Sequence, residues 1–319
     1  MSESARDLRA HDPVPAGPAL LVTSPNSRRS TRGLPQARAA LSDLGIEVAE
    51  ELPVDQAARL PELVGPEPPA RLVLAAGGDG TVGAVANHLA HTRAVLGVLP
   101  LGTSNDFARS LAIPMRIDRA VGLLRGGKVS TIDLGCLVVP GREPLHFVHA
   151  ATVGLNVSFA KLATRASLRR RLGRLTYVFA AVVALRERRL FDCAIVCEGR
   201  DERWPLTHLS VINAPVFGGF LGMRVGGSSP DDRLLDVLAV EDLPIRRMLL
   251  AAIHQLFRIS SPLEGVHALH VSEMRVHTEV PLEVALDGEV LGTLPADFVV
   301  AGEALRVVTP LDFDDVSDR

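Results

Sequence analysis

The sequence predicts an α/β protein in two parts: an N-terminal α/β domain on a parallel sheet, followed by a mostly antiparallel β domain. Three observations carry this reading. From Ala19 to about Asp133, buried apolar runs alternate with helical stretches, the pattern of parallel strands with helices packed on their faces. Beyond Asp133 short strand-like runs and turn signals dominate. A chain of 319 residues also suits two domains, at ~100–200 residues each.

In chain order, residues 1–18 read as a disordered leader, because MSESARDLRAHDPVPAGP lacks the apolar core of a signal peptide. Leu20–Thr23 is a short apolar strand ending in the polar loop SPNSRRSTRG. Gln36–Leu44 reads as a helix closed by Gly45, Ile46–Glu50 as a second strand and Pro61–Pro69 as a proline-rich connection. Arg71–Ala76 and Ala94–Leu99 are buried strands, each followed by a glycine loop and a helix, over Val82–Ala90 and Asp106–Leu111. Ile117–Arg125 is a further helix. The strand-like runs beyond are Leu137–Val139, His146–Ala151, Phe191–Cys197, Leu209–Asn213, Leu235–Val240, Met274–His277, Leu282–Leu286, Phe298–Val300 and Leu305–Val308. Leu168, Leu172, Leu175, Phe179 and Val182 mark a long helix between them, and another lies around Ile245–Phe257.

Lys+Arg 34 against Asp+Glu 37 leaves a net charge of −3, which gives no electrostatic case for a nucleic-acid partner. Trp204–Met223 is 20 residues long without Asp, Glu, Lys or Arg, yet its prolines and glycines would leave unpaired backbone groups in hydrocarbon. It reads as a buried strand running into a glycine-rich loop, so no transmembrane segment is expected. Cys136, Cys193 and Cys197 match no zinc spacing and read as buried thiols of a reducing cytoplasm. His267 and His270 would face opposite sides of a strand, which argues against a metal pair.

Two loops share one plan: each follows a buried strand, contains Gly-Thr and opens a helix. They are Gly77-Gly78-Asp79-Gly80-Thr81 and Pro100-Leu101-Gly102-Thr103-Ser104-Asn105-Asp106. Glycines let a backbone approach phosphate closely, and amides at a helix N-terminus favour an anion. Asp79 and Asp106 would repel that phosphate unless a divalent cation lies between them, a role that suits magnesium. Read singly, each loop is equally well a turn with an N-cap. No GxxxxGK[ST] occurs, and the two lysines, Lys128 and Lys161, lie far along the chain, so this is no P-loop protein. Gly78–Gly83 does satisfy GxGxxG, but the next strand ends in Val98-Leu99-Pro100 with no ribose-binding acid, which argues against a dinucleotide dehydrogenase. In Asp287-Gly288-Glu289 the Asp-Gly pair signals a hairpin.

GGDGT followed by PLGTSNDFAR closely resembles the bacterial diacylglycerol kinase family, relatives of sphingosine and ceramide kinases. The resemblance extends to IDLG at 132–135, LGRLTYVFAAVVAL at 172–185, VINAPVFGG at 211–219, LLDV at 234–237 and DGE at 287–289. It implies an ATP-binding α/β domain over 19–133, to which the tail 309–319 returns, and a C-terminal antiparallel β-sandwich substrate domain over 134–308. In such enzymes Gly77, Gly78, Asp79, Gly80, Thr81, Gly102, Thr103, Asn105 and Asp106 would bind nucleotide. Asp79, Asp106 and Asp133 would organise magnesium and ATP, and Asp232 a structural magnesium. Glu289, beside Asp287, would take the proton from a lipid hydroxyl. The implied reaction is ATP- and Mg2+-dependent transfer of a phosphoryl group to a membrane lipid of diacylglycerol type.

Some positions depart from the family pattern: Ser24 stands where asparagine is usual, Asn156 where an acid is common, Arg233 where glycine is usual and Phe220 where a third glycine is frequent. Arg28 and Arg29 are either phosphate ligands or a solvated pair. Nine basic residues between Lys161 and Arg189 form either the solvated face of a helix or a patch for an anionic leaflet. The sequence therefore predicts a cytoplasmic protein, peripheral on the inner face of the membrane, and exposed sheet edges suit a homodimer. NAD kinase is the rival enzyme reading, because GGDGT occurs there too, and a catalytically silent lipid-binding regulator is the rival of another class.

Overall fold

The structure, a computed structural model, describes residues 12–24, 28–66, 70–154, 189–214, 216–217, 223–224, 232–244, 247 and 264–313. The helices read over Leu168–Val182 and around Ile245–Phe257, and the basic run apart from Arg189, lie outside the described residues.

The parallel part contains β1 (Ala19–Thr23), α1 (Arg28–Asp43), β2 (Val48–Pro53), α2 (Leu60–Val64), β3 (Leu72–Gly77), α3 (Asp79–Leu89), β4 (Val95–Pro100), α4 (Asp106–Ser110) and α5 (Ile117–Gly126). Strands β1, β3 and β4 are buried along their whole length, as expected of parallel strands covered on both faces. They lie in the order β4-β3-β1-β2. Two helices differ from the sequence reading. Helix α1 starts at Arg28, eight positions before Gln36, because a polar run of Arg, Ser and Thr is not barred from a helix. Within the proline-rich connection a proline at the first turn opens α2, where its missing N–H costs nothing.

The second part holds β5 (Lys128–Val138), β6 (Leu145–Phe147), β7 (Ala150–Gly154), β8 (Phe191–Cys197), β9 (Arg200–Ile212), β10 (Val216–Phe217), β11 (Met223–Arg224), β12 (Leu235–Glu241), β13 (Val266–Val271), β14 (Glu273–Thr278), β15 (Glu283–Leu286), β16 (Glu289–Thr293) and β17 (Ala296–Thr309). Among the described residues, these strands apart from β10 and β11 join the parallel ones in a 15-stranded sheet. The two runs read as Phe298–Val300 and Leu305–Val308 are one strand, β17, interrupted by an irregularity between Ala301 and Leu305. Its second half lies parallel to β4, and the whole strand lies antiparallel to β5.

Two cores result. Ile132, Leu134, Cys136, Ala301, Leu305 and Val307 belong to the core of the parallel part, whereas Leu137 and Phe298 belong to the β-sandwich core. The line drawn after Asp133 therefore falls inside β5, and the chain returns to the first core from about Ala301 rather than at 309. The physical reason is that β5 and β17 each contribute residues to both cores, β17 on either side of its irregularity. The three cysteines are free and buried, with Cys193, Ile195 and Cys197 on one inward face. His267 and His270 lie on β13, where His267 contacts Glu241 and His270 contacts Asp236.

Candidate active site

Both glycine loops emerge at the carboxyl ends of adjacent parallel strands, where open α/β sheets bind ligands. They are packed directly on each other. Leu101 N–H donates to Gly77 O at 2.8 Å, and a β-carbon on Gly102 would come within 2.4 Å of Gly78 Cα. Only a pair of glycines permits that approach. Asn105 takes the left-handed conformation at the start of α4, with φ 50°. Its side chain accepts from Gly102 N–H at 2.9 Å and donates to Gly102 O at 3.3 Å, which sets the shape of the second loop. Thr81, Asn105 and Asp106 are buried, whereas Gly80 and Thr103 are exposed toward the open end.

Asp79 links the two loops, because its Oδ1 accepts the Phe107 N–H at 3.1 Å. Burial works to raise its pKa, but contact with His149 and the amides of Phe107 and Asp106 outweigh that and hold the carboxyl below its usual range. His149 Nε2 lies 3.4 Å from Asp79 Oδ1, an ionic contact rather than an aligned hydrogen bond. For His149, burial works against protonation, but contact with Asp79 and the field of Asp287, Asp79 and Asp106 hold its pKa above the ordinary imidazole value.

The Asp-Gly signal becomes the turn between β15 and β16, with Asp287 at φ 49° and Gly288 at φ 89°, as a type I′ hairpin requires. This turn comes up against α3. A β-carbon on Gly80 would lie 3.8 Å from Glu289 Oε1, and one on Gly83 would lie 3.0 Å from Asp287 Oδ2. Asp287 and Glu289, grouped together from the sequence, separate in the structure. Asp287 accepts three main-chain N–H groups, with Oδ2 taking Val148 at 2.9 Å and Oδ1 taking His149 at 2.8 Å and Ala150 at 3.1 Å. It anchors the turn, while Glu289 is exposed beside the first loop.

The other two expected ligands make main-chain contacts within the second part. Buried Asp133 accepts Arg233 N–H at 2.9 Å on Oδ2 and Glu303 N–H at 2.8 Å on Oδ1, bracing the irregularity of β17. Asp232 Oδ1 accepts Leu234 N–H at 3.0 Å. Arg233 stands at φ 59°, the conformation that explains why glycine suits that position. Among the described residues no group of three or more His, Cys, Asp or Glu is gathered to hold a metal ion. At the loops the carboxylates are Asp79 and Asp106, a donor set that fits a hard cation completed by phosphate oxygens and water.

Sequence reasoning missed two residues, His149 and Asn213. Asn213 donates its N–H to His149 O at 2.8 Å, and its buried side chain reaches Asp133 O and Val148 O. The available signal was a polar residue inside an apolar strand run, in HFVHAATV and LSVINA.

Two glycine loops on a parallel sheet, faced by a carboxylate from a β-sandwich hairpin, form the arrangement that a two-part phosphotransferase requires. Residues 18–137 match the diacylglycerol kinase catalytic domain, and residues 150–309 match the YegS C-terminal NAD kinase beta sandwich-like domain. A diacylglycerol kinase of Bacillus subtilis (strain 168) is 30% identical over 244 residues, 75% of this chain and 78% of that one. One of Mycobacterium tuberculosis (strain H37Rv) is 29% identical over 318 residues, 96% of this chain and 99% of that one. The chain spans about half, 55%, of an uncharacterised Synechocystis protein to which it is 28% identical over 247 residues. A solved diacylglycerol kinase of Bacillus anthracis shares the fold, with a TM-score of 0.64 at 20% identity over 93% of this chain and 98% of that one. The chain belongs to the diacylglycerol kinase family, enzymes that phosphorylate an alcohol group, and the NAD kinase reading is not favoured. No helix among the described residues is long and apolar enough to cross a membrane.

Proposed function

We propose that this protein transfers the γ-phosphoryl group of ATP to a hydroxyl of a diacylglycerol-like membrane lipid, with Glu289 as the general base. The observation that carries this reading is the approach of Glu289 Oε1 to within 3.8 Å of a β-carbon position on Gly80, across from the nucleotide loops. The half around 19–133 binds the nucleotide and the half around 134–308 receives the lipid. Loop amides and the hydroxyls of Thr81 and Thr103 hold the phosphates, and Asp79 and Asp106 hold magnesium, which neutralises phosphate charge when bound. Asp133 and Asp232 act in support, tying the strands and turn behind the site.

Phosphoryl transfer asks the protein for position and charge neutralisation. Glu289 orients the lipid hydroxyl and takes its proton as that oxygen bonds to the γ-phosphorus, while the bond to the ADP oxygen breaks. An exposed carboxylate beside the first glycine loop suits an acceptor whose acyl chains stay in a bilayer. The enzyme therefore works peripherally, on the inner face of the membrane, as a monomer or as a dimer joined at sheet edges.

The test supplies labelled ATP and magnesium with diacylglycerol, phosphatidylglycerol, a sphingoid base, ceramide and, as a control, NAD. A labelled lipid product is expected, reduced about 1000-fold or more by Asp79→Ala and by Glu289→Ala. Lipid phosphorylation that survives Glu289→Ala would remove its role as base, and phosphorylation of NAD alone would overturn the proposal.

A further inference from the structure

We infer that His149 is a positioning residue that fixes the nucleotide loop and the acceptor hairpin relative to each other, its side chain holding Asp79 and its main chain holding Asp287. The inference rests on the kinase reading above and adds the device that sets the distance across the site.

Each contact of His149 leads to a different part of the site. The buried imidazole places Nε2 3.4 Å from Asp79 Oδ1. The ring meets Phe107 edge-on, with centroids 6.1 Å apart, so it also touches the helix opened by the second loop. Its own N–H donates to Asp287 Oδ1 at 2.8 Å, and its carbonyl accepts Asn213 N–H at 2.8 Å. Asp79 is thus gripped between the Phe107 amide and His149, while the turn carrying Glu289 hangs from the peptide of the same histidine.

A bland core histidine behaves differently, and this protein has one. His208 is buried in β9 and satisfies both ring nitrogens within its own sheet, on Val153 O at 3.1 Å and Ser210 Oγ at 2.7 Å. His149 makes no side-chain hydrogen bond among the described residues, and its Nδ1 is buried without a partner. Burying an imidazole in that state costs free energy unless a contact elsewhere compensates. The contact that His149 makes is with a carboxylate of the other half of the molecule.

The experiment compares the wild type with His149→Ala, His149→Asn and His149→Gln in steady-state lipid phosphorylation, and in hydrogen exchange with and without magnesium-ATP. Gln carries an N–H to about the place of imidazole Nε2, whereas Asn falls short. The Ala and Asn variants are expected to lose kcat by about 10-fold or more with KM for ATP within about threefold, since misplacement taxes the transition state more than binding. Gln is expected to restore most of kcat. In the wild type and the Gln variant, nucleotide should slow exchange of the amides at 286–291, and in the Ala variant it should not. If the Ala variant does not fold, the Asn variant carries the same expectations. Wild-type kcat in the Ala or Asn variant, failure of Gln to rescue, or nucleotide-induced protection at 286–291 that persists without the imidazole would overturn the inference. Should the wild type phosphorylate none of the lipids yet lose that protection on His149→Ala, the lipid-kinase reading would fail and this inference would stand.

Discussion

The glycine loops and the Asp287-Gly288 hairpin face each other but are built by different rules. The loops rise from strands buried on both faces and touch backbone to backbone at Gly78 and Gly102, with Asp79 tied to α4. The hairpin lies at an edge of the sheet, β16 pairing with β15 alone among the described residues, and its residues Gly288, Glu289, Val290 and Leu291 are exposed. The turn is held by the Asp287 carboxylate on three amides of the β6–β7 segment, together with the Asp287 N–H donated to Ala150 O at 2.9 Å. Steric fit sets the nucleotide side, and a few polar contacts set the acceptor side. Under the proposed function, a soluble phosphate donor meets a preformed cradle and a lipid delivered from a membrane meets an open rim.

That contrast predicts where each side breaks. The largest effect is expected from Asp287→Ala, which strands three amides at once and should cost on the order of 4 kcal/mol in urea unfolding. Asp287→Asn, which keeps one acceptor oxygen, should cost about half as much. Equal stability of Asp287→Ala and wild type would show that the turn is held by its Asp-Gly geometry instead.

Acid tests the sandwich next. Burial pushes the His208 pKa down to about 4, from an ordinary 6.5. The unfolded chain therefore binds this proton first as pH falls, so the contribution is complete above about 6.5 and is lost between 6.5 and 4. The loss amounts to roughly 3 kcal/mol at 1.36 kcal/mol per unit. His208→Gln should flatten that part of the urea-midpoint profile, and an unchanged slope would count against a neutral buried imidazole.

On the nucleotide side a smaller, steric effect is expected. Gly102→Ala drives a methyl into Gly78 Cα and should destabilise by about 2 kcal/mol while weakening ATP binding. Gly122→Ala, in α5 with open space around the added carbon, should instead stabilise by about 0.5–1 kcal/mol. Thermal melts of the pair separate close packing from helix propensity by their opposite signs.

Much of this was readable in the sequence, for local reasons. Val95–Pro100 is apolar enough to be a buried strand wherever it sits, and the Gly-Thr motifs need only the strand before them and the helix after them. Asp287-Gly288 specifies its own turn type through two positive φ angles. Harder to read was continuity: Ala301–Leu305 looks like a break, yet β17 passes through it because Asp133 accepts the Glu303 amide. Asp133 itself reads equally well as ligand or brace until its partners are seen.

By itself, then, the amino-acid sequence determined the two-part plan, the phosphate loops, the hairpin and the family, since each depends on residues close together in the chain. Tertiary structure decided that Asp287 accepts three amides while Glu289 is exposed, that Asp133 accepts the amides of Arg233 and Glu303, and that His149 joins Asp79 to Asp287. Those assignments depend on pairs such as Asp79 with His149 and Asp287 with Val148, whose proximity comes from strand pairing across the whole sheet and leaves no spacing in the chain to read.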